Sequence, residues 1–112
     1  MDISSPVYEK TDQLLNYLHT YYHTKISGSG IEEQFSMNFD YLNRIFKKRT
    51  QSTIFAYLNN IRMEQAKQLL LTTHLPIHEI ASRTGFSDEY YFSRAFKKAL
   101  SISPAKFRKN RI

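Results

Sequence analysis

Apolar residues recur every three or four positions through most of this chain, which is the spacing of one face of an α-helix. The spacing predicts a first helix between residues 7 and 24 and a longer one between residues 53 and 72. The apolar face of the first helix consists of Leu14, Leu15, Leu18, Tyr21 and Tyr22. The stripe of the longer helix consists of Ile54, Leu58, Ile61, Ala66, Leu69 and Leu70. No segment alternates as a half-buried strand does, so the pattern favours an all-α fold.

Capping residues divide the rest of the first half of the chain. Two glycines in residues 27–30 each weaken a helix by roughly 1 kcal/mol relative to alanine, so this segment is predicted to be a loop or a poor helix start. A short second helix is predicted at residues 31–36. Asn38 is a good N-cap for a third helix that runs to about Thr50, and Thr53 can cap the long fourth helix.

Helix-breaking residues set the boundaries in the second half. Pro76 suits the first turn of a fifth helix. The apolar pattern ends at Gly85, and glycine suits a turn position with positive φ. Asp88 can cap a sixth helix, and Pro104 begins a last short one before a basic tail at residues 108–112. The chain is therefore predicted to contain about seven helices.

Two stretches repeat one another at a distance of fifty residues. Each has a short helix, a turn and a capped helix ending in Phe-Lys-Lys. The first copy contains Asn38, Tyr41, Leu42, Asn43, Arg44, Phe46, Lys47 and Lys48, and the second contains Asp88, Tyr91, Phe92, Ser93, Arg94, Phe96, Lys97 and Lys98. The register continues, with Thr53 matching Ser103 and Tyr57 matching Phe107. A repeat of this kind is one supersecondary unit used twice, and its parts are those of a helix-turn-helix.

The positive charge is concentrated in the last two-thirds of the chain. Residues 1–40 carry two basic and six acidic side chains, whereas residues 41–112 carry fourteen basic and four acidic ones. A localised positive field attracts a polyanion through phosphate contacts, although a solvated lysine-rich surface would have the same composition. The candidate phosphate contacts are Lys47, Lys48, Arg49, Lys97, Lys98 and Arg108.

Polar residues occupy one face of each capped helix. We expect Tyr91, Phe92, Ala95 and Phe96 to be buried, because a helix this short needs a packed face to be stable. In the third helix the inward residues are Leu42, Ile45 and Phe46. The outward residues carry hydrogen-bonding groups that can reach base edges in a major groove. They are Asp40, Asn43 and Arg44 in the third helix and Glu89, Tyr90, Ser93 and Arg94 in the sixth.

Other classes of site are not favoured. The chain has no cysteine for a disulfide or a thiolate metal site. His19 and His23, like His74 and His78, have zinc-compatible spacing but no added carboxylate in a recognisable motif, so we predict no metal and no cofactor. Nothing indicates a catalytic pocket or a partnered nucleophile, so we predict no enzymatic activity.

No membrane or export segment is predicted either. No apolar run approaches the roughly 18 residues that cross a bilayer. Residues 1–6 lack the apolar stretch of a secretory signal and are predicted to be a linker or tail. The expected location is the cytoplasm, in association with the nucleoid.

The second copy resembles the C-terminal signature of the AraC/XylS family of bacterial transcription regulators. The resemblance covers about residues 7–109. It is carried by Ile77-His78-Glu79-Ile80-Ala81, Gly85-Phe86, Tyr91-Phe92-Ser93-Arg94, Phe96-Lys97-Lys98, Ser103-Pro104 and Phe107-Arg108. The long helix resembles the family's connecting helix through Tyr57-Leu58, Arg62, Ala66-Lys67 and Leu69-Leu70.

This resemblance implies two homeodomain-like helix-turn-helix units, at residues 7–52 and 73–112, joined by a connecting helix at residues 53–72. It implies that the third and sixth helices face successive major grooves of double-stranded DNA, about 34 Å apart. The family usually has a small residue at Glu32 and a glycine at Gln51 and Ser101, so we expect the ends at Gln51 and Ser101 to turn differently. RNA polymerase and a sensory or dimerisation domain outside this chain are further candidate partners.

An alternative function is a helical protein-interaction or dimerisation module that does not itself read DNA. The N-terminal aromatic residues Tyr8, Tyr17, Tyr21 and Tyr22 would suit such a module. The two functions differ in salt dependence, because phosphate contacts weaken steeply as salt rises and an apolar protein interface does not.

Overall fold

The computed structural model describes residues 6–110, which form seven α-helices and no strand. The helices are α1 (Pro6–Tyr21), α2 (Gly28–Phe35), α3 (Phe39–Thr50), α4 (Ile54–Thr72), α5 (Ile77–Arg83), α6 (Glu89–Leu100) and α7 (Pro104–Lys109). The predicted all-α fold with seven helices is thus confirmed. Residues 1–5 of the predicted linker and residues 111 and 112 of the predicted tail lie outside the described residues.

Four helix boundaries differ from the prediction, and the first is the end of α1, which lies at Tyr21 and not at residue 24. Helix α2 begins at Gly28 and not near residue 31, because the Ser27 hydroxyl accepts the Gly30 N–H at 3.0 Å and caps the helix. Pro76 is the N-cap of α5 and not a residue of its first turn. Helix α7 runs to Lys109, so Arg108 belongs to a helix and not to a basic tail.

The chain divides into two compact units that meet between Asn59 and Asn60, within α4. Each unit has its own buried core. The core of the first unit contains Leu14, Leu18, Ile31, Phe35, Leu42, Phe46, Ile54 and Leu58. The core of the second contains Met63, Ala66, Leu70, Ile80, Ala81, Phe86, Phe92 and Phe96. Residues of α4 contribute to both cores.

The predicted repeat is confirmed in atomic detail. Asn38 Oδ1 accepts the Tyr41 N–H at 3.1 Å at the start of α3, and Asp88 Oδ1 accepts the Tyr91 N–H at 2.7 Å at the start of α6. The aromatic contacts repeat as well, since Phe46 meets Tyr57 edge to face at 5.3 Å between ring centroids. Phe96 meets Phe107 in the same way at 5.4 Å. The two copies therefore share both their helix starts and their central ring packing.

The ends of α3 and α6 were expected to turn differently from a glycine cap, and this expectation is wrong. Gln51 and Ser101 both have φ of 66°, in the left-handed region that glycine favours. Their N–H groups donate to the carbonyls of Lys47 and Lys97 at 2.8 and 2.7 Å. The backbone bond is thus kept although a side chain is present.

Glu32, which stands where a small residue was expected, has a structural role at the start of α3. Its Oε1 accepts the Phe39 N–H at 2.7 Å, and Phe39 is the first residue of that helix. The first N–H groups of a helix have no partner within it, so Glu32 and Asn38 together satisfy two of them. A small residue at position 32 could not reach this N–H group.

Candidate nucleic-acid interface

Helix α6 separates a buried aromatic face from an exposed polar face. Phe92 and Phe96 are fully buried, as predicted. Tyr90 is 74% exposed, and Arg94 and Lys97 are exposed as well. Glu89 and Ser93 are half-buried. The predicted base contacts of this helix therefore lie on a face that a ligand can reach.

One residue of α6 faces differently from the prediction. Tyr91 was expected to be buried, but 46% of it is exposed. Its ring lies 6.2 Å from that of Phe86 between centroids, at the margin of the core. Tyr91 lies in the first turn of α6, next to the exposed Tyr90.

Helix α3 presents a similar polar face. Asp40, Arg44 and Lys47 are exposed, whereas Asn43 is half-buried. The Arg44 guanidinium lies over the Tyr41 ring, 5.7 Å from its centroid. This contact limits the freedom of the side chain before any ligand binds. Tyr41 was not predicted to have a role, although its position three residues before Arg44 is typical of side chains that meet on one helix face.

Four lysines flank the two polar faces near the helix C-termini. All four are exposed, and they lie in the last turns, where cations also interact favourably with the helix dipole. They are Lys47 and Lys48 in α3 and Lys97 and Lys98 in α6. Their ammonium groups can reach a phosphate without breaking an ion pair within the described residues.

Arg49, a predicted phosphate contact, is instead bound within the first unit. One of its Nη atoms lies 2.6 Å from Asp12 Oδ1, and the other donates to Thr11 Oγ1 at 2.8 Å. The guanidinium carbon lies 3.8 Å from the centroid of the Tyr8 ring. Burial lowers the pKa of Arg49, but the hydrogen bond and charge of Asp12 outweigh it, so the pKa lies above its ordinary value. Arg49 therefore joins α1 to the end of α3.

Arg108, another predicted phosphate contact, also points into the fold. Its Nε donates to the Leu70 carbonyl at 3.2 Å, near the C-terminal end of α4. Its Nη2 is buried and makes no hydrogen bond with the described residues. Arg108 therefore joins α7 to the C-terminal end of α4.

A groove of about 700 Å³ lies between α1 and α3 in the first unit. Its lining combines apolar and basic side chains, namely Val7, Tyr8, Thr11, Tyr41, Arg44, Ile45, Lys48 and Arg49. The sequence pattern did not predict this groove, because it depends on how α1 packs against α3. Its basic side is continuous with the polar face of α3.

Within residues 6–110, no three side chains of a type that binds metal are grouped closely enough to hold an ion. His19 Nε2 lies 2.9 Å from the Tyr57 hydroxyl, within a hydrogen bond. None of the described helices has the length and apolarity needed to span a bilayer.

Comparison with known proteins identifies the same architecture. A family model for a helix-turn-helix domain matches residues 31–110. The Msm operon regulatory protein of Streptococcus mutans is 36% identical over 98 residues, which are 88% of this chain and 35% of that protein. The transcriptional activator RhaS of Escherichia coli is 34% identical over 98 residues, with the same shares of 88% and 35%. The C-terminal domain of AraT, a response regulator from Geobacillus stearothermophilus, is 36% identical with a TM-score of 0.88, covering 96% of this chain and 88% of that one.

The fold and the exposed polar helices define a helix-turn-helix DNA-binding domain. The chain belongs to the AraC/XylS family of transcription regulators, through a domain with two such units. It is a family of DNA-binding regulators and not of enzymes. The chain spans about a third of the length of the curated relatives that it matches.

Proposed function

We propose that this chain binds double-stranded DNA sequence-specifically, with α3 and α6 each placed in a major groove. The observation that carries the proposal is the division of α6 into a fully buried aromatic face and a polar face led by Tyr90 and Arg94. An exposed helix face of this kind can enter a major groove and reach base edges without disturbing the core. Helix α3 has the same division, with Phe46 buried and Arg44 exposed.

The proposed base contacts follow from the exposure of each side chain. Arg44 and Arg94 can donate two parallel hydrogen bonds to the O6 and N7 of a guanine. Asp40 and Glu89 can accept from the amino group of a cytosine. Tyr90 and Ser93 offer hydroxyl groups that both donate and accept. The amide oxygen of Asn43 is already used within the fold, so Asn43 is not included.

The proposed phosphate contacts are the four exposed lysines, Lys47, Lys48, Lys97 and Lys98. Arg49 and Arg108 are left out because their guanidinium groups are bound within the fold. Each neutralised phosphate contributes about −0.9 to the slope of log K against log salt, so four contacts give a slope of about −3.6. The alternative function, a module that binds only protein, would lack this slope.

We also propose a role in transcription, two partners and a location for this chain. RhaS is named a transcriptional activator and AraT a response regulator, which supports a role in switching transcription. We propose RNA polymerase as a partner on DNA, and a sensory or dimerisation domain as a partner within the full regulator. The cytoplasm, in association with the nucleoid, is the proposed location because the DNA ligand is there.

Footprinting tests whether both units read DNA. A binding site is first selected from randomised duplexes, and the protected region is then mapped with the single chain. We expect protection of roughly 15–20 base pairs, with two base-sensitive clusters about 10 base pairs apart. Protection of one short cluster alone would show that only one helix reads bases. An absence of selected sequences would contradict sequence-specific binding altogether.

A further inference from the structure

The side chain of Asn43 links the reading helix α3 to the start of α4. Its Oδ1 accepts the N–H of Ile54 at 2.8 Å, and Ile54 is the first residue of α4. The first N–H groups of a helix lack intrahelical acceptors, so this bond satisfies a donor that would otherwise be unpaired. Thr53 Oγ1 accepts the N–H of Ala56 in the same first turn at 3.2 Å.

The same device appears one helix earlier in the first unit. The Glu32 carboxylate on α2 accepts the N–H of Phe39, the first residue of α3, at 2.7 Å. Asn43 on α3 does the same for the first residue of α4. The starts of α3 and α4 are thus each bonded to a side chain from the preceding helix, and α3 takes part in both bonds.

The second unit does not require an equivalent of the Asn43–Ile54 hydrogen bond. Ser93 occupies the position of Asn43 in the repeat, and Pro104 occupies the position of Ile54. Proline has no N–H to donate, and it is favoured at the first position of a helix because no donor is lost there. The Ser93 hydroxyl is therefore not required to cap α7, and the two copies use this position differently.

The hydrogen bond limits what Asn43 can offer to DNA. An asparagine recognises adenine through two bonds, one donated to N7 and one accepted from the N6 amino group. The Asn43 oxygen keeps a second lone pair, but its bond to the Ile54 N–H ties the amide to the start of α4, which opposes the paired contact with adenine. Arg44 beside it only donates. The exposed polar group at the centre of α3 is therefore the Arg44 guanidinium, whereas Asn43 is half-buried.

We infer that Asn43 is a positioning residue that seats α3 against the start of α4, and that α3 reads guanine rather than adenine at the centre of its half-site. Guanine presents the acceptors N7 and O6 in the major groove, which match the donors of Arg44. The inference that Asn43 positions α3 depends only on its hydrogen bond to Ile54. The base preference rests on the proposed function, in which α3 lies in a major groove.

The positioning role is tested in the free protein by hydrogen exchange of the Ile54 amide, followed by NMR. In Asn43→Asp the acceptor oxygen is kept, so the Ile54 amide should remain protected. In Asn43→Ala the acceptor is lost, and exchange should accelerate about 5- to 150-fold, since an unmet buried N–H costs roughly 1–3 kcal/mol. Ser93→Ala, at the matching position of the second unit, should leave Ile54 unchanged. Unaltered exchange in Asn43→Ala would overturn the positioning role.

The base preference is tested by competition among duplexes that differ by one base in the half-site of α3. Asn43→Ala should weaken binding to every duplex by a similar factor and keep the preference for guanine. Arg44→Ala should abolish that preference. If Asn43→Ala instead removes discrimination at an adenine, Asn43 is a direct base contact and the inference is wrong. If the wild-type chain binds no duplex, the proposed function fails, while the exchange result still decides the positioning role.

Discussion

Arg49 provides a sharp test of how the basic residues divide between folding and DNA binding. The variant Arg49→Met keeps most of the apolar stem and removes the guanidinium. It deletes the 2.6 Å ion pair with Asp12, the 2.8 Å hydrogen bond to Thr11 and the stacking on Tyr8. We expect the variant to destabilise the first unit and to leave the salt dependence of DNA binding nearly unchanged.

The size of the effect can be worked from the exposure of each partner. Asp12 is 56% exposed, so its ion pair with Arg49 contributes about 0.2–1 kcal/mol. Thr11 is buried, and a hydrogen bond from a charged donor to it contributes about 1.5–3 kcal/mol. The cation–π contact with Tyr8 adds about 0.5–1 kcal/mol. These contributions overlap, because one guanidinium makes all three contacts, so the expected loss is about 2–3 kcal/mol.

Urea unfolding followed by circular dichroism measures the loss of stability, and DNA titrations at several salt concentrations measure the slope. The control is Lys48→Met, which removes an exposed cation of the same helix. It should lower the salt slope by about one and leave the unfolding free energy nearly unchanged. If Arg49→Met behaves as Lys48→Met is expected to, Arg49 is a phosphate contact and the assignment from its geometry is wrong.

Two further changes test the packing and the helix ends. Phe96→Ala should destabilise the protein by about 3–5 kcal/mol, because the ring is fully buried and contacts Phe92 and Phe107; unchanged urea unfolding would contradict this facing of α6. Ser101→Gly should stabilise it by about 1 kcal/mol by relieving a left-handed non-glycine residue, seen as a rise of several degrees in Tm. Gln51→Gly should stabilise the protein less than Ser101→Gly, since it also removes the bond from the Gln51 side-chain amide to the Lys48 carbonyl at 3.2 Å. An equal rise in Tm would show that this bond contributes nothing to stability.

Much of the fold could be predicted because its signals are local. Helix caps act within three residues, and Asn38 and Asp88 each occupy the predicted cap. The fifty-residue repeat then assigned the same structure to two stretches, so each supported the other. The predicted start of α2 at residue 31 was wrong because the Ser27 cap stabilises a first turn that contains two glycines.

The roles of individual polar residues could not be predicted in the same way, because they depend on tertiary contacts. Arg49 meets a residue 38 positions away, and so does Arg108. Composition alone cannot distinguish a guanidinium that joins two helices from one that faces a ligand. Asn43 and Ser93 occupy equivalent positions in the repeat, and so do Ile54 and Pro104. The Ile54 N–H donates to Asn43, but Pro104 has no N–H that could donate to Ser93. A single residue in the following helix therefore changed the role of the aligned position.

The central claim is that α6 reads bases through Arg94 while the lysines beside it bind phosphates. Its most direct test is competition binding of Arg94→Ala and Lys97→Ala against a panel of single-base variants of a selected site. Both residues are exposed on the same helix, which makes them matched perturbations.

Arg94→Ala should cost about 1–3 kcal/mol on the selected site and remove discrimination at one base position, with non-specific binding little changed. Lys97→Ala should weaken all sequences alike and reduce the salt slope by about one. If Arg94→Ala weakens every sequence in the panel equally, Arg94 is only a phosphate contact and the proposed reading by α6 is contradicted.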